Sequence, residues 1–439
     1  MVGQAVAILF GVFFILMFAG VPISVGIGLA SIATALFSFD ASTFALTAAQ
    51  RSFSGIDSFS LLALPFFMLA GNIMNKGGIA KRLVRMARVF VGWIPGYLAA
   101  TNVLANMFFG AISGSSVAAT SAMGSIMAPL EEKEGYDKNY SAAVNICSAP
   151  TGIIIPPSGP LILYSITAGG VSVGALFMAG YLPGAILGLC VMAVAIYMAS
   201  KKGYKVSLEK ETDSKLKIVL DAVPSLFAVI LVMVGILSGW FTATEAGVVC
   251  VLYCALLSFL YKEITLKDLY EMLADTMISS ATILFLISAS TIMSYIMSYS
   301  GIPAAISSAL MSISTNRYVL LLIMNLFLLV MGMFLDLTPA VLIFTPIFLP
   351  IVRSIGMSDV HFGIMLIMNL GIGSVTPPVG SCLFVGCRVG KVSIAGVTKY
   401  IIPLFVSMVL ALLVITFIPP ISLALPTVFG LTPGVGWLN

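Results

Sequence analysis

The residues best suited to chemistry in this chain are neutral oxygens and interrupted backbone, not acids, bases or nucleophiles. One stretch reads Gly110-Ala111-Ile112-Ser113-Gly114-Ser115-Ser116-Val117-Ala118-Ala119-Thr120-Ser121, a polar small-residue turn inside an apolar run. A second reads Gly332-Met333-Phe334-Leu335-Asp336-Leu337-Thr338-Pro339. Two other runs are centred on double prolines, Pro156-Pro157 and Pro377-Pro378. No helix continues through Pro-Pro, because each proline lacks an N–H and clashes with an upstream carbonyl. Spans carrying them must unwind, leaving carbonyls such as those of Gly152, Ile155, Gly373 and Thr376 without helical partners. In hydrocarbon each orphan would cost several kcal/mol. Sodium, a hard cation that prefers oxygen ligands, can satisfy such groups. Half-helix N-termini across the break carry partial positive charge and suit an anion. Ser113, Ser115, Ser116, Ser158, Thr376 and Ser381 add neutral donors and acceptors. The implied chemistry is coordination and carriage, with sodium as coupling ion, no other cofactor and no catalytic group.

Small-residue and Ser/Thr-rich helices also serve plain helix packing. What favours a site here is that both polar turns stand beside Pro-Pro breaks at a matched spacing. Asp336 is the clearest ionisable residue within an apolar run. It reads either as a functional charge at depth or as an N-cap at a hairpin tip. Asn72, Asn102, Asn106 and Asn145 read as interhelical hydrogen-bonders, Glu245 and Asp57 as interface residues, and Arg388 and Lys391 as the end of the second broken span. The single histidine, His361, lies near Asp359, and nothing ties it to Ser113. The six cysteines lie in apolar runs without metal-ligand spacing and read as small buried hydrophobes. No phosphate-binding GxxxxGK[ST] loop or basic aromatic patch is present, so neither ATP nor nucleic acid is implied.

The elements that must position these residues are membrane helices. Of 439 residues, 60% are hydrophobic and only 9% charged, against about a quarter charged in soluble domains. The apolar runs are long and continuous, which excludes a β-barrel and leaves room for roughly a dozen spans. The N-terminal run, Val6 to Phe37, has no preceding basic region and is too long for a cleaved signal. It is expected as a retained first span interrupted by Pro22. Basic residues cluster at Lys76, Lys81, Arg82, Arg85 and Arg88, and again at Lys201, Lys202, Lys205, Lys210, Lys215 and Lys217, the latter diluted by Glu209, Glu211 and Asp213. Such loops favour the cytoplasmic side, and the first also fits an amphipathic interfacial helix.

An internal repeat organises the chain. At an offset of 221 residues, Pro129 meets Pro350, Gly135 meets Gly356, Gly152 meets Gly373, and Pro156-Pro157 meets Pro377-Pro378. Gly159 then meets Gly380, Gly169 meets Gly390, and Val171-Ser172 meets Val392-Ser393. The first repeat is preceded by the basic cluster, the second by Gly301-Ile302-Pro303 and a neutral stretch. That asymmetry predicts opposite orientations, an inverted repeat of the kind found in secondary transporters. Each polar turn lies between apolar segments judged too short to cross alone, which predicts re-entrant hairpins. The division expected is 1–75 N-terminal scaffold, 76–200 first repeat, 201–275 basic linker and scaffold, 276–425 second repeat, and 426–439 tail.

The string Ser113-Gly114-Ser115-Ser116-Val117-Ala118, with Pro156-Pro157-Ser158-Gly159 and Thr376-Pro377-Pro378-Val379-Gly380, resembles the large membrane subunit of tripartite ATP-independent periplasmic (TRAP) transporters. The resemblance runs from the first span to about Pro420. It implies an all-α ion-transporter fold with a scaffold and a mobile elevator domain bearing two hairpins, in the bacterial inner membrane. It implies a small four-helix membrane subunit and a periplasmic substrate-binding protein as partners. It also implies sodium-driven import of an organic acid anion such as a C4-dicarboxylate or sialic acid. By residue match, one sodium site would use Gly110, Ser113, Gly152, Ile155 and Pro157. The other would use Gly332, Gly373, Thr376 and Val379. Ser115, Ser116, Ser158, Asp336 and Ser381 are the substrate-binding candidates. Many members carry an acid where this chain has Ala119. With no helices before the first span, the small subunit is expected as a separate chain. The alternatives are a self-sufficient sodium–carboxylate symporter of the same broad fold and a purely structural membrane subunit.

Overall fold

The computed structural model describes residues 2–38, 41–204, 214–377 and 379–432. Pro378 lies outside the described residues, as do Lys205, Glu209, Lys210, Glu211 and Asp213 of the second basic cluster and positions 433–439 of the tail. Every regular element among the described residues is helical.

The chain opens with α1 (Val2–Phe18), α2 (Ile23–Ser38), α3 (Ala41–Ile56) and α4 (Ala63–Lys76). The single span expected around Pro22 is two helices. Gly20 takes φ +81°, a conformation open to glycine, and α1 and α2 pack on one another across that turn. The first repeat comprises α5 (Ile79–Val91), α6 (Tyr97–Ser113), α7 (Ser116–Lys133), α8 (Lys138–Ser148), α9 (Gly159–Thr167) and α10 (Val173–Lys201). Then come α11 (Lys215–Leu237), α12 (Ala243–Leu260) and α13 (Leu266–Tyr299). The second repeat comprises α14 (Ile302–Ile313), α15 (Arg317–Phe334), α16 (Leu337–Ser354), α17 (Asp359–Gly373), α18 (Ser381–Gly390) and α19 (Ile394–Phe417), followed by α20 (Pro420–Val428).

The offset seen in the sequence is also a structural one. Helices α7 and α16 begin 221 residues apart, as do α8 and α17, and α10 and α19. Gly135 and Gly356 both take φ +76° in the turns between them. Ser172 and Ser393 both cap the helix that follows, accepting from Ala175 N at 3.2 Å and Gly396 N at 3.1 Å. Packing crosses between the repeats: α18 lies along α7, and α16 along α9. Around them, α4 packs on α12, and α13 packs on α2, α3, α4 and α16.

Among the described residues eight helices are long and apolar enough to cross a bilayer, fewer than the dozen expected. Breaks near Pro22, Pro156 and Pro377 divide continuous apolar runs into shorter helices. Both α15 and α16 have 18 residues and reach spanning length, about 27 Å at 1.5 Å per residue. Segment shortness therefore does not by itself mark the second hairpin as re-entrant. The expected divisions at 275 and 425 fall inside the continuous helices α13 and α20.

Lys81, Arg82, Arg85 and Arg88 of the first basic cluster lie on α5, which buries Ile79, Leu83, Val84 and Ala87 on its apolar face, while Lys76 ends α4. Arg82 stacks 3.5 Å from the Tyr261 ring centroid and lies 3.3 Å from Asp221 Oδ2. In the second repeat α14 stands at the same place, buries only Ile302 and carries no basic residue.

Candidate functional site

The two polar turns each join a pair of helices. In the first, Gly114 takes φ +61° after α6, and Ser115 caps α7, its side chain accepting from Ala118 N at 3.2 Å. In the second, Asp336 stands at the N-cap of α16 but makes no side-chain cap bond. Its carboxylate instead accepts from Ser381 Oγ at 3.2 Å, tying the turn to the start of α18. The capping reading of Asp336 thus holds for its position and not for its bonding.

The double prolines coincide with the interruptions. After α8 the chain makes a 3-10 turn over Ala149–Ile153, passes the cis Pro156-Pro157 bond, and resumes as α9. Ser158 caps α9 and donates to the Ile153 carbonyl. In the second repeat α17 ends at Gly373 and α18 begins at Ser381. Two carbonyls expected to be orphaned have backbone partners there. Gly373 O accepts from Thr376 N at 3.0 Å, and Thr376 O accepts from Gly380 N at 3.2 Å. The turn that replaces the helix re-pairs them, and each keeps a second lone pair for a ligand.

Paired glycines bring turn and break together. A Cβ on Gly152 would overlap the backbone of Gly110, and one on Gly373 would lie 2.6 Å from Gly332 Cα. A Cβ on Gly114 would meet Gly159 N at 3.0 Å and lie 3.8 Å from Pro157 O. So the end of α6 lies along the break, Gly110 against Gly152 and Gly114 near Pro157, with Ser113 beside Gly114 and Ile155 two residues before Pro157. Ser113 is buried there, and its hydroxyl has no partner. It packs beneath Gly71 of α4, where a Cβ would come 3.0 Å from Ser113 Cα. The second contact joins Gly332 and Gly373, and Thr376 is tied to it by its bond to the Gly373 carbonyl. Val379 is 45% exposed and stands beyond the turn.

Both tips open on one cavity of about 300 Å³. Ser115 and Ser116 line it from the first turn, and Asp336 and Thr338 from the second. Gly159 and Pro160 at the start of α9 complete it, with Leu64, Met68 and Ile283 behind. Three helix N-termini, those of α7, α9 and α16, therefore meet at this space, and their partial positive charges favour an anion. Ser158 is fully buried in its cap and does not line the cavity. Ser381 reaches it only through Asp336. From Ser115 an open groove of about 890 Å³ continues along α7 to Glu132 and Lys138, walled by Val385, Arg388 and Lys391. Arg388 and Lys391, read from sequence only as a helix end, thus border the approach to the site.

The four asparagines bond across helices: Asn72 donates to Thr276 Oγ1 at 3.0 Å, Asn106 to Ser148 Oγ at 2.9 Å and to Asn145 Oδ1 at 3.1 Å, Asn102 to Glu131 Oε1 at 3.3 Å, and Asn145 to Thr120 O at 2.8 Å. Glu245 closes a capping box with Thr242. His361 is buried against Ser422 Oγ at 2.5 Å and Thr416 O at 3.2 Å, remote in bonding from Ser113. Sequence reasoning passed over Glu131, which is fully buried, because its neighbours form an exposed charge run.

An apolar helical body with broken helices facing paired helix turns around a shared cavity fits a multi-pass membrane permease. The chain matches the family "Tripartite ATP-independent periplasmic transporter, DctM component" over residues 10–421. It belongs to that family and is a multi-pass inner-membrane protein. Among similar proteins, YgiK of Salmonella typhimurium is 47% identical over 97% of this chain and 98% of its own length. The C4-dicarboxylate TRAP transporter large permease protein DctM of Rhodobacter capsulatus is 35% identical, covering 97% and 99%. The sialic acid TRAP transporter large permease protein SiaM of Vibrio cholerae is 34% identical, covering 94% and 96%. The YdaH transporter of Alcanivorax borkumensis, whose crystal structure shows an unusual topology, shares the fold, with a TM-score of 0.63, 13% identity, and coverage of 89% and 90%.

Proposed function

We propose that the chain is the transport subunit of a sodium-coupled importer for an organic acid anion, moving its two helix turns and two broken helices as an elevator against the surrounding scaffold. The observation that carries this reading is the 300 Å³ cavity at which three helix N-termini and both polar turns meet. Its substrate would be a carboxylate of the C4-dicarboxylate or sialic acid class, the substrates named for the two permease relatives. Ser115, Ser116 and Asp336 would touch it. Sodium would bind at the two glycine contacts, through Gly110, Ser113, Gly152, Ile155 and Pro157 on one side and Gly332, Gly373, Thr376 and Val379 on the other. The buried, unpartnered Ser113 hydroxyl supports the first.

The repeats would lie inverted, with both helix pairs re-entrant. The basic α5 against the neutral α14 supports this. Lys138 and Lys202 gather at the base of α7 and α8, which supports a cytoplasmic side for that end. The 890 Å³ groove would then be the inward exit path. A small membrane subunit and a periplasmic binding protein would complete the system.

The test is uptake of labelled succinate and sialic acid into liposomes holding the chain with a candidate small subunit. Uptake that needs both a sodium gradient and the cognate binding protein is expected. Sodium-dependent uptake without the binding protein would point to a self-sufficient symporter. Binding-protein-dependent uptake indifferent to sodium would remove the sodium assignment.

A further inference from the structure

One acid stands apart from the site described above. Glu131 opens the run Glu131-Glu132-Lys133-Glu134, whose other members are exposed. Glu131 itself is 1% exposed, at the last turn of α7. Asn102 Nδ2 of α6 donates to its Oε1 at 3.3 Å. Its Oε2 has no well-aligned donor, and the hydroxyl of Ser141 on α8 stands beside the carboxylate as its other polar neighbour. Among the described residues no Lys, Arg or His pairs with it. Lys138 nearby is held by Glu132 at 2.7 Å. An isolated buried carboxylate anion is far too costly to persist, so something neutralises this group.

A cavity of about 30 Å³ adjoins it, lined by Asn102, Ser141 and Asn145, room for about one water. Glu132 and Lys138 line both this cavity and the large groove along α7, so the small space borders the groove. The neighbouring amides turn their oxygens away. Asn106 Nδ2 occupies Asn102 Oδ1 at 2.9 Å and Asn145 Oδ1 at 3.1 Å. A sodium ion would find few oxygens here, whereas a proton needs only the carboxylate. The second repeat supplies the comparison. At the 221-residue offset stands Val352, 0% exposed, so the fold packs this position without an acid.

We propose that Glu131 is a proton-binding carboxyl, loaded from water in the groove along α7, whose protonation sets how firmly α6, α7 and α8 hold together at the base of the first helix pair. In the step, the carboxylate takes a proton from hydronium and releases water, and the reverse frees it. Tyr136 and Tyr140 face the group from the α7–α8 turn and α8, and the Glu132–Lys138 pair stands at the mouth. Into the cavity α6 brings Asn102, and α18 brings Gly386 and Gly390.

The consequence for transport rests on the function proposed above, while the proton itself does not. The test therefore has two readouts on the full chain with its small subunit. Infrared spectra at neutral pH should show a protonated-carboxyl band that Glu131→Gln removes. Uptake should change by about threefold or more as the groove-side pH goes from about 6 to about 9, and Glu131→Gln should flatten that dependence. Glu131→Val, the second repeat's residue, should give the same flat profile and guards against a Gln-specific folding defect. A spectrum unchanged by Glu131→Gln overturns the proton assignment, even in a preparation that transports nothing. A lost band with a wild-type pH profile overturns the control of movement.

Discussion

The two repeats share a backbone and differ in what they place on it. Both join a helix pair through a polar turn, press glycine on glycine at the break, and fasten the base of the pair with an ion pair. The pairs occupy equivalent positions with the signs exchanged: Glu132 with Lys138 at 2.7 Å, and Arg353 with Asp359 at 2.6 Å. The buried contacts behind them also correspond. Tyr140 OH donates to Ala195 O at 2.7 Å, and His361 Nε2 lies 3.2 Å from Thr416 O, each residue 221 positions from its counterpart. The turns diverge. The first carries neutral Ser115, bonded within its own helix, and the second carries Asp336, bonded to α18. Backbone shape is what the repeats have in common, so coordination by backbone is open to both. A charged side chain at the cavity belongs to the second, and a buried carboxyl at the base to the first.

The largest effects should come from filling the glycine contacts. Gly110→Ala places its Cβ inside the Gly152 backbone, which cannot yield, whereas Gly332→Ala meets its nearest atoms at 3.1 Å. Overpacking costs about 1–3 kcal/mol, so Gly110→Ala should reduce folded, active protein by about tenfold or more. Gly332→Ala should fall clearly short of that. Equal losses in uptake and thermal stability would erase the difference in tightness between the repeats.

Next in size should be the unlike turns. Asp336→Asn is expected to reduce uptake by about tenfold, losing a charge-assisted bond and the only acid that lines the cavity among the described residues. Ser115→Ala removes a helix cap worth about 1 kcal/mol and should reduce it several-fold at most. The reverse order, measured as initial uptake rates, would move the functional charge out of the second repeat. Ser113→Ala should raise the sodium concentration for half-maximal uptake by about three- to tenfold, the loss of about one polar contact. An unchanged sodium dependence would remove Ser113 from the ion site proposed for the first repeat.

The smallest effects should lie at the bases. Asp137 starts α8 and accepts from Tyr400 OH at 2.7 Å and Lys202 Nζ at 3.0 Å. Burial works against its charge, yet these bonds hold its carboxyl below the usual range. A lowered value stabilises the fold above the unfolded carboxyl range, near about pH 4. That stability is lost as pH falls through the lowered value. Asp137→Asn should lower the melting temperature at pH 7 by a few degrees and shrink the further drop at acid pH. The second repeat has Ser358 at this place, so Ser358→Ala should leave the acid response unchanged. Removing Arg353 or Lys138 should alter stability by at most about 1 kcal/mol each, since both pairs are half-exposed.

Glycine and proline made much of this architecture legible in advance. Gly135, Gly356, Pro129 and Pro350 mark where the backbone turns or kinks, and such residues read the same in sequence as in the fold. The meeting of Gly110 with Gly152 was implicit in their family match, but Gly114 against Gly159 was not, since helix packing sets it. Pro22 misled, because a proline beside a left-handed glycine ends a helix where a proline alone only kinks one. Thr376 and Gly373 misled differently, since a turn can re-pair carbonyls that a helix abandons.

By itself the sequence determined the medium, the helical class, the repeat and its offset, and the places where helices break, because these follow from hydropathy and from backbone stereochemistry local to each residue. Only the tertiary structure decided which side chains share a space. It bonded Asp336 to Ser381 and set Ser115 and Ser116 beside Asp336 while keeping Ser158 out. It also turned Glu131 inward while Glu132 and Glu134 face out. Those outcomes depend on how helices far apart in the chain pack against one another, and hydropathy along the chain carries no record of that contact.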